Sequence, residues 1–202
     1  MTDPAARRFE LWLDVGSAYS YVAWRALPGF AERVGAWPTL RPMLLGGVFK
    51  ATGNRSPVEV AAKGRWADAD LRRHAARLGA PYAFNPWFPV NTLVPMRIAA
   101  GLAMREPGSL PRFLDACFDA IWGRPRDIAD RSTFVAVLGE AGLDAPALLA
   151  LAEDPEVKER LKRDTEEAVA RGVFGAPTFF VGDEMFFGQD RMDFVADALA
   201  TR

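Results

Sequence analysis

The chain of 202 residues has one cysteine, Cys117, and one histidine, His74, and this scarcity removes whole classes of chemistry. A single thiol cannot close a disulfide within the chain, and a single imidazole cannot supply a multi-histidine metal site or a Cys/His zinc cluster. Charge of one sign is also lacking. Lysine and arginine number 25 against 26 acidic residues, a formal charge of −1, which creates no field that gathers nucleic acid or anionic membrane. The expected partner is a small, locally recognised ligand, with no nucleic acid and no membrane. No apolar run approaches the length that spans a bilayer, and the opening Met1-Thr-Asp-Pro-Ala-Ala-Arg-Arg8 is polar where a secretory signal is apolar. The expected compartment is the cytoplasm, which is reducing and rich in small thiols. There the Asn54-Arg55-Ser56 sequon is accidental.

What is present is hydrophobic residue, 50% of the chain, enough for one well-packed domain or a domain with a large insertion. Short β-like runs at Phe9–Asp14 and Thr39–Leu44 flank a helical pattern over Tyr19–Val34, whose Tyr21, Trp24, Leu27 and Phe30 share one face. Pro28-Gly29 is expected to kink that helix or end its first half. A strand-helix-strand order of this kind closes as a right-handed parallel crossover. From Ser56 the pattern turns helical: Ser56-Pro57-Val58-Glu59 reads as a capping box that opens a helix toward Leu78, and Gly79-Ala80-Pro81 stops it. Pro81–Asn91 holds too many prolines for a regular element and is an aromatic loop. Helices are expected around Pro95–Met104, Pro111–Trp122, Thr133–Glu140, Pro146–Ala152 and Glu156–Ala170. Thr178–Val181 and Glu184–Phe187 form a hairpin about Gly182-Asp183, and a helix over Arg191–Ala200 closes the chain. The order βαβ, helical block, ββα is that of an α/β thioredoxin-like fold. It assigns 1–50 and 171–202 to a thioredoxin-like domain and 51–170 to an all-helical insertion.

Ser17-x-x-Ser20 stands where the first strand hands over to the first helix, the place where a thiol oxidoreductase carries Cys-x-x-Cys. By motif alone Ser17 reads first as a helix N-cap, and alternatively as a hydroxyl that donates to an anion, including a thiolate, at the electropositive helix start. A hydrogen bond to a charged acceptor contributes about 1.5–3 kcal/mol and the helix end about 0.3–1 kcal/mol, which together lower a thiol pKa by roughly 1–3 units. Without cysteines at positions 17 and 20, disulfide exchange is excluded. Gly175-Ala176-Pro177-Thr178 opens the third strand. Pro177 reads as a cis-proline whose preceding backbone offers strand-like pairing to an extended ligand, or as an ordinary trans proline at a strand edge. Phe84, Trp87 and Phe88, with Pro86 and Pro89 between them, form either a stiff wall over a planar aromatic substrate, with Asn91 as a polar contact, or part of the packing of the insertion. Cys117 reads as a core residue and His74 as a helix-surface residue.

Several ordered blocks together resemble the 2-hydroxychromene-2-carboxylate isomerase family, a DsbA-like group related to kappa-class glutathione transferases. These are Asp14-Val-Gly-Ser17-Ala-Tyr-Ser20, Leu44–Pro57, Lys63, Asn85–Thr92, Gly172–Phe179 and Phe187–Met192. The resemblance implies a cytoplasmic homodimer of aromatic catabolism with glutathione as cofactor and a small aromatic carboxylate as substrate. It implies that Ser17 faces the glutathione sulfur and that Asn54 and Lys63 hold the tripeptide. Ala176, before Pro177, would pair with the cysteinyl unit, and Gln189 with Asp190 would receive the γ-glutamyl end. Each has a plainer reading: Asn54 as part of a turn alone, Lys63 as one half of a surface pair with Glu59, and Asp190 as the cap of the last helix. The aromatic loop resembles the isomerases more than the animal transferases. The implied reaction interconverts 2-hydroxychromene-2-carboxylate and trans-o-hydroxybenzylidenepyruvate, returning glutathione unchanged. The rival readings are a kappa-like transferase or peroxidase, which consumes it, and a non-catalytic binding module. Ala18 departs from the family, which commonly has proline after the serine, so the helix entry is less rigid.

Overall fold

A computed structural model describes residues 8–201. Residues 1–7, which carry most of the polar opening, lie outside the described residues. Leu11, Trp12 and Leu13 are all buried, as are all four residues of Thr178-Phe-Phe-Val181, and a strand is apolar throughout only when both its faces are covered. These runs form β1 (Glu10–Leu13) and β3 (Thr178–Val181), the two central strands of a four-stranded sheet. β2 (Thr39–Pro42) pairs parallel to β1, and β4 (Glu184–Phe187) pairs antiparallel to β3, giving the order β2-β1-β3-β4. The hairpin turns at Gly182-Asp183, with Val181 opposite Glu184.

Side chains alternate across the sheet with period two. Leu11, Leu13, Phe179 and Val181 enter the larger core with Tyr21, Leu27 and Phe30 of α1 (Ala18–Val34) and Val195 of α9 (Met192–Ala200). Trp12 and Phe180 point the other way, edge to face at 6.4 Å, into a smaller core with Met43, Val48, Ala168 and Val173. Each such side chain contributes about 1.5–3 kcal/mol by leaving water. α1 runs unbroken through Pro28, because Leu27, Phe30, Ala31 and Val34 on its far half are all buried and hold the chain in place.

The helical block comprises α3 (Ala61–Arg77), α4 (Leu93–Arg105), α5 (Leu110–Phe118), α6 (Arg131–Glu140), α7 (Ala145–Glu153) and α8 (Pro155–Ala170). Three of its starts are written locally: Asp130, Asp144 and Asp154 accept from the N–H groups of Thr133, Ala147 and Glu156. Among the described residues no helix is long and apolar enough to cross a membrane.

Three expectations are corrected. The Ser56–Glu59 capping box does not form: the Ser56 carbonyl, not its hydroxyl, accepts from Glu59 N at 3.1 Å, Pro57–Glu59 winds as a 3-10 turn, and extended Val60 restarts the chain at Ala61. Glu59 therefore faces Arg55, at 3.8 Å, and shares no helix with Lys63. The helix expected through Trp122 ends at Phe118 and continues as a wider π turn, Asp119–Gly123. A helix not expected at all, α2 (Leu45–Thr52), follows β2. Its two glycines oppose helix formation by about 1 kcal/mol each. Two tertiary features offset this: the carboxylate of Asp14 accepts from Leu45 N at 2.8 Å, and Gly47 allows close approach to α8, where a Cβ would stand 3.0 Å from the Thr165 methyl.

Candidate active site

The first turn of α1 is built around the Ser17 hydroxyl. Ser17 is an extended N-cap, buried, and its Oγ accepts from Ser20 N at 3.1 Å. The same Oγ donates to the carbonyl of Ala176 at 2.8 Å, which joins the helix start to the loop entering β3. The Ala176–Pro177 bond is cis. The hydroxyl hydrogen expected to serve an anion is therefore engaged by the backbone of the residue expected to pair with the ligand. Ser20 Oγ is buried and has no partner among the described residues. The N–H groups of Ala18 and Tyr19, like those at any helix start, have no partner inside the helix.

Below Ser17, the carboxyl of Asp14 is 1% exposed and accepts from Gly16 N (2.8 Å), Leu45 N (2.8 Å) and Thr92 Oγ1 (3.1 Å). Its main-chain carbonyl accepts from Ser17 N at 3.0 Å. Burial outweighs the three donors and pushes this acid up to about 6. Gly16 is sterically required: a Cβ there would lie 2.9 Å from Thr92 Cγ2. Trp122 Nε1 donates to the Val15 carbonyl at 2.8 Å and fixes the turn from the side of the helical block.

On one flank, Asn54 follows α2, accepts from Arg55 N at 2.8 Å and donates through Nδ2 to the Phe174 carbonyl at 2.7 Å. It thus serves its own turn and also holds the loop that carries Ala176. The rings of Phe174 and Phe187 meet at 4.5 Å, tilted by 50°, beside that loop, partly exposed, and Gly175 leaves space for them: a Cβ there would lie 2.7 Å from the Phe187 ring. Lys63 is exposed on the first turn of α3 and makes no hydrogen bond or ion pair to these groups.

On the other flank, Gln189 and Asp190 sit in the 3-10 turn between β4 and α9. Asp190 does not cap α9; it pairs with Arg191 at 2.7 Å. Gln189 Nε2 is 3.4 Å from His74 Nε2, which is 3.7 Å from Asp70 Oδ2, and the Tyr19 hydroxyl meets the same Asp70 oxygen at 3.5 Å. Tyr19 is pushed up to about 12, chiefly by burial and then by the charges of Asp70 and Asp190, so both acids act on one hydroxyl two residues after Ser17.

The aromatic loop divides. Phe88 packs on Trp122 at 5.7 Å as part of the core boundary, whereas Phe84 and Trp87 are exposed by 44% and 49%. Asn91 accepts from Leu93 N at 3.0 Å at the start of α4. Cys117 is buried and burial pushes its thiol up, which suits a core residue. The sequence reading missed Asp14, Thr92, Trp122, Tyr19 and Asp70 as parts of the site. One signal could have found the first: an acid closing the apolar run Leu11-Trp12-Leu13, at the carboxyl end of the strand, where α/β sheets place their sites.

A family model described as the DSBA-like thioredoxin domain matches residues 8–200. This chain belongs to the DsbA-like thioredoxin family. Within that family the DsbA-like chain is 32% identical over 195 residues to a 2-hydroxychromene-2-carboxylate isomerase of Sphingobium xenophagum, covering 96% of this chain and 98% of that one. It is 29% identical to glutathione S-transferase kappa 1 of Homo sapiens, over 98% of this chain and 93% of that one. A solved 2-hydroxychromene-2-carboxylate isomerase superposes with a TM-score of 0.82 at 26% identity, covering 96% of this DsbA-like chain and 95% of the other.

Proposed function

We propose that this chain is a glutathione-dependent isomerase of 2-hydroxychromene-2-carboxylate or a close aromatic analogue. The observation that carries the reading is the pair formed by the Ser17 hydroxyl and the Ala176 carbonyl at the start of α1. A serine without a base beside it is a poor nucleophile, but as a donor it stabilises an anion brought by a ligand. The residues present fit glutathione. A buried Ser20 hydroxyl without a partner among the described residues lies beside Ser17, Lys63 offers a cation for a carboxylate, and Asp70 and Asp190 offer anions for an ammonium. Glutathione, when bound, would supply the sulfur nucleophile that adds to the conjugated substrate and leaves again.

Each residue then has a definite task. The Ala176 carbonyl accepts a ligand N–H in place of the Ser17 hydroxyl, and the released hydroxyl turns its hydrogen to the thiolate. Asn54 keeps the Phe174–Pro177 loop at the distance this exchange needs. Gln189 and Asp190 receive the γ-glutamyl end, with Tyr19, Asp70 and His74 bordering it. Phe174 and Phe187, with Phe84, Trp87 and Phe88, offer apolar surface to an aromatic ring. The relatives named as isomerases, 30–32% identical, support isomerisation, and those named as kappa-class transferases, 26–29% identical, are the ground for conjugation as the alternative. Assembly as a homodimer and residence in the cytoplasm belong to the same proposal.

The test is an ultraviolet assay of chromene ring opening with and without glutathione. The expected result is turnover that requires glutathione, leaves its concentration unchanged, and falls about 10- to 100-fold in Ser17→Ala, the loss of one charge-assisted hydrogen bond. Stoichiometric consumption of glutathione would replace the reading with a kappa-like transferase.

A further inference from the structure

Two carboxylates among the described residues are buried, and they are treated differently. Asp164 is met by Arg160 at 2.8 Å and by Arg41 at 3.8 Å. Asp14 has no cation. Its partners are donors from three separate elements: the turn into α1 through Gly16 N, the first residue of α2 through Leu45 N, and the residue before α4 through Thr92 Oγ1. One carboxyl therefore spaces the helix that presents Ser17, the helix that leads to Asn54, and the helical block. Tight packing reinforces the junction, because Gly16 admits no Cβ against Thr92 and Val15 is held by Trp122 Nε1.

We propose that Asp14 is the positioning residue of this site: its carboxylate sets Ser17 and α2 in register for the ligand, and its protonation loosens that setting. The proposal rests on the glutathione reading for its ligand. The chemistry follows from the donor set. Gly16 and Leu45 offer N–H groups that can only donate, so a proton on Asp14 has a single acceptor in reach, the Thr92 oxygen. The Thr92 hydroxyl must then reverse, and the two backbone N–H groups lose a charged acceptor for a neutral one, which holds them about half as strongly. Burial, which pushes Asp14 up to about 6, places this change close to neutrality.

The charged groups on the surrounding elements are engaged elsewhere or exposed. Glu10 of β1 pairs with Arg171, Arg25 of α1 with Asp115, Arg97 of α4 with Glu153, and Arg41 of β2 with Glu167. Lys50 of α2 is exposed, and Asp164 of α8 is paired as above. What meets the Asp14 carboxyl is one hydroxyl and two N–H groups, and the thioether of Met96 is taken up by Val15 N.

The experiment has two arms. In the free protein, carbon NMR follows the Asp14 carboxyl from pH 5 to 8 while the amide signals of Gly16 and Leu45 are recorded. One shared midpoint near 6 is expected, displaced upward by about 0.5–1 unit in Thr92→Val, which removes a donor to the carboxylate. In the second arm, calorimetry measures binding of S-methylglutathione, in which no thiol titrates, over the same range. Affinity should fall about five- to tenfold toward pH 5, with a midpoint that moves with that of Asp14 in Thr92→Val and with no such component in Asp14→Asn. Amide signals that ignore the Asp14 titration, or a binding profile unchanged in Asp14→Asn, overturn the proposal. The Thr92→Val displacement separates Asp14 from His74, whose environment that substitution does not touch. A wild-type chain that binds no S-methylglutathione defeats the glutathione reading, and the amide titration then decides the role of Asp14 by itself.

Discussion

At the scale of single residues, Ser17 combines two duties that separate under mutation. As N-cap it holds Ser20 N, and its replacement by alanine should lower stability by about 1 kcal/mol, a fall in Tm of about 2–4 °C for a chain of this size. As donor it should hold the thiol of bound glutathione ionised, and Ser17→Ala should raise that thiol's pKa by about 1–2 units, read from thiolate absorbance. A variant that loses the stability and leaves the thiol unmoved would reduce Ser17 to a cap. Trp122→Phe tests the support beneath it. That change keeps most of the ring but leaves the buried Val15 carbonyl without its donor, and should cost about 1–3 kcal/mol in denaturant titration. Both serines and the Gly-Ala-Pro segment stand out in the sequence, since each is a local departure from an apolar run. The Ser17 to Ala176 hydrogen bond does not, because its partners are 159 residues apart.

At the scale of elements, helices were legible where their signals are local. Asp130, Asp144 and Asp154 each precede a periodic stretch, and each caps it. Asp144→Ala should accordingly weaken the chain by about 1 kcal/mol, and Asp144→Ser should restore most of it; equal stability of all three would deny the cap. α2 was illegible for the converse reason. Its sequence opposes a helix with Gly46 and Gly47, and what starts it is the carboxylate of Asp14, in the turn that follows β1. Ser56–Glu59 shows the opposite error, an ideal local signal overruled when the Ser56 carbonyl took the N–H meant for its hydroxyl. The aromatic loop is a mixed case: its composition marked it as irregular, but the division between Phe88 on Trp122 and exposed Phe84 and Trp87 depends on what lies beneath.

For the whole molecule, Asp14 makes stability depend on pH with a definite sign. Its folded value of about 6 lies above the ordinary 3.8, so the folded state takes up a proton before the unfolded state does. The stability linked to Asp14 is complete below about 4 and is lost as pH rises through 6. Asp130, Glu153 and Asp154 are shifted down by their hydrogen bonds, and lose their contribution only as pH falls below about 4. Denaturant titrations at pH 7, 6 and 5 should therefore show wild type gaining on Asp14→Asn as the pH drops. A constant difference between them would mean that Asp14 is not shifted. A carboxylate kept ionised near neutral pH against its own stability fits a group retained for the site rather than for the fold.

By itself the amino-acid order determined the strand and helix alternation, the missing thiols at positions 17 and 20 and the pattern that resembles glutathione-handling relatives. Those properties reside in short windows, where periodicity, capping and turn chemistry act. Tertiary structure alone decided that the Ser17 hydrogen rests on Ala176, that α2 exists, that Tyr19 and Asp70 border the Gln189–Asp190 turn, and that Asp14 is buried among three donors. Each of these depends on a group brought from a distant part of the chain, and burial gives such a contact its strength by removing the water that would otherwise compete for it.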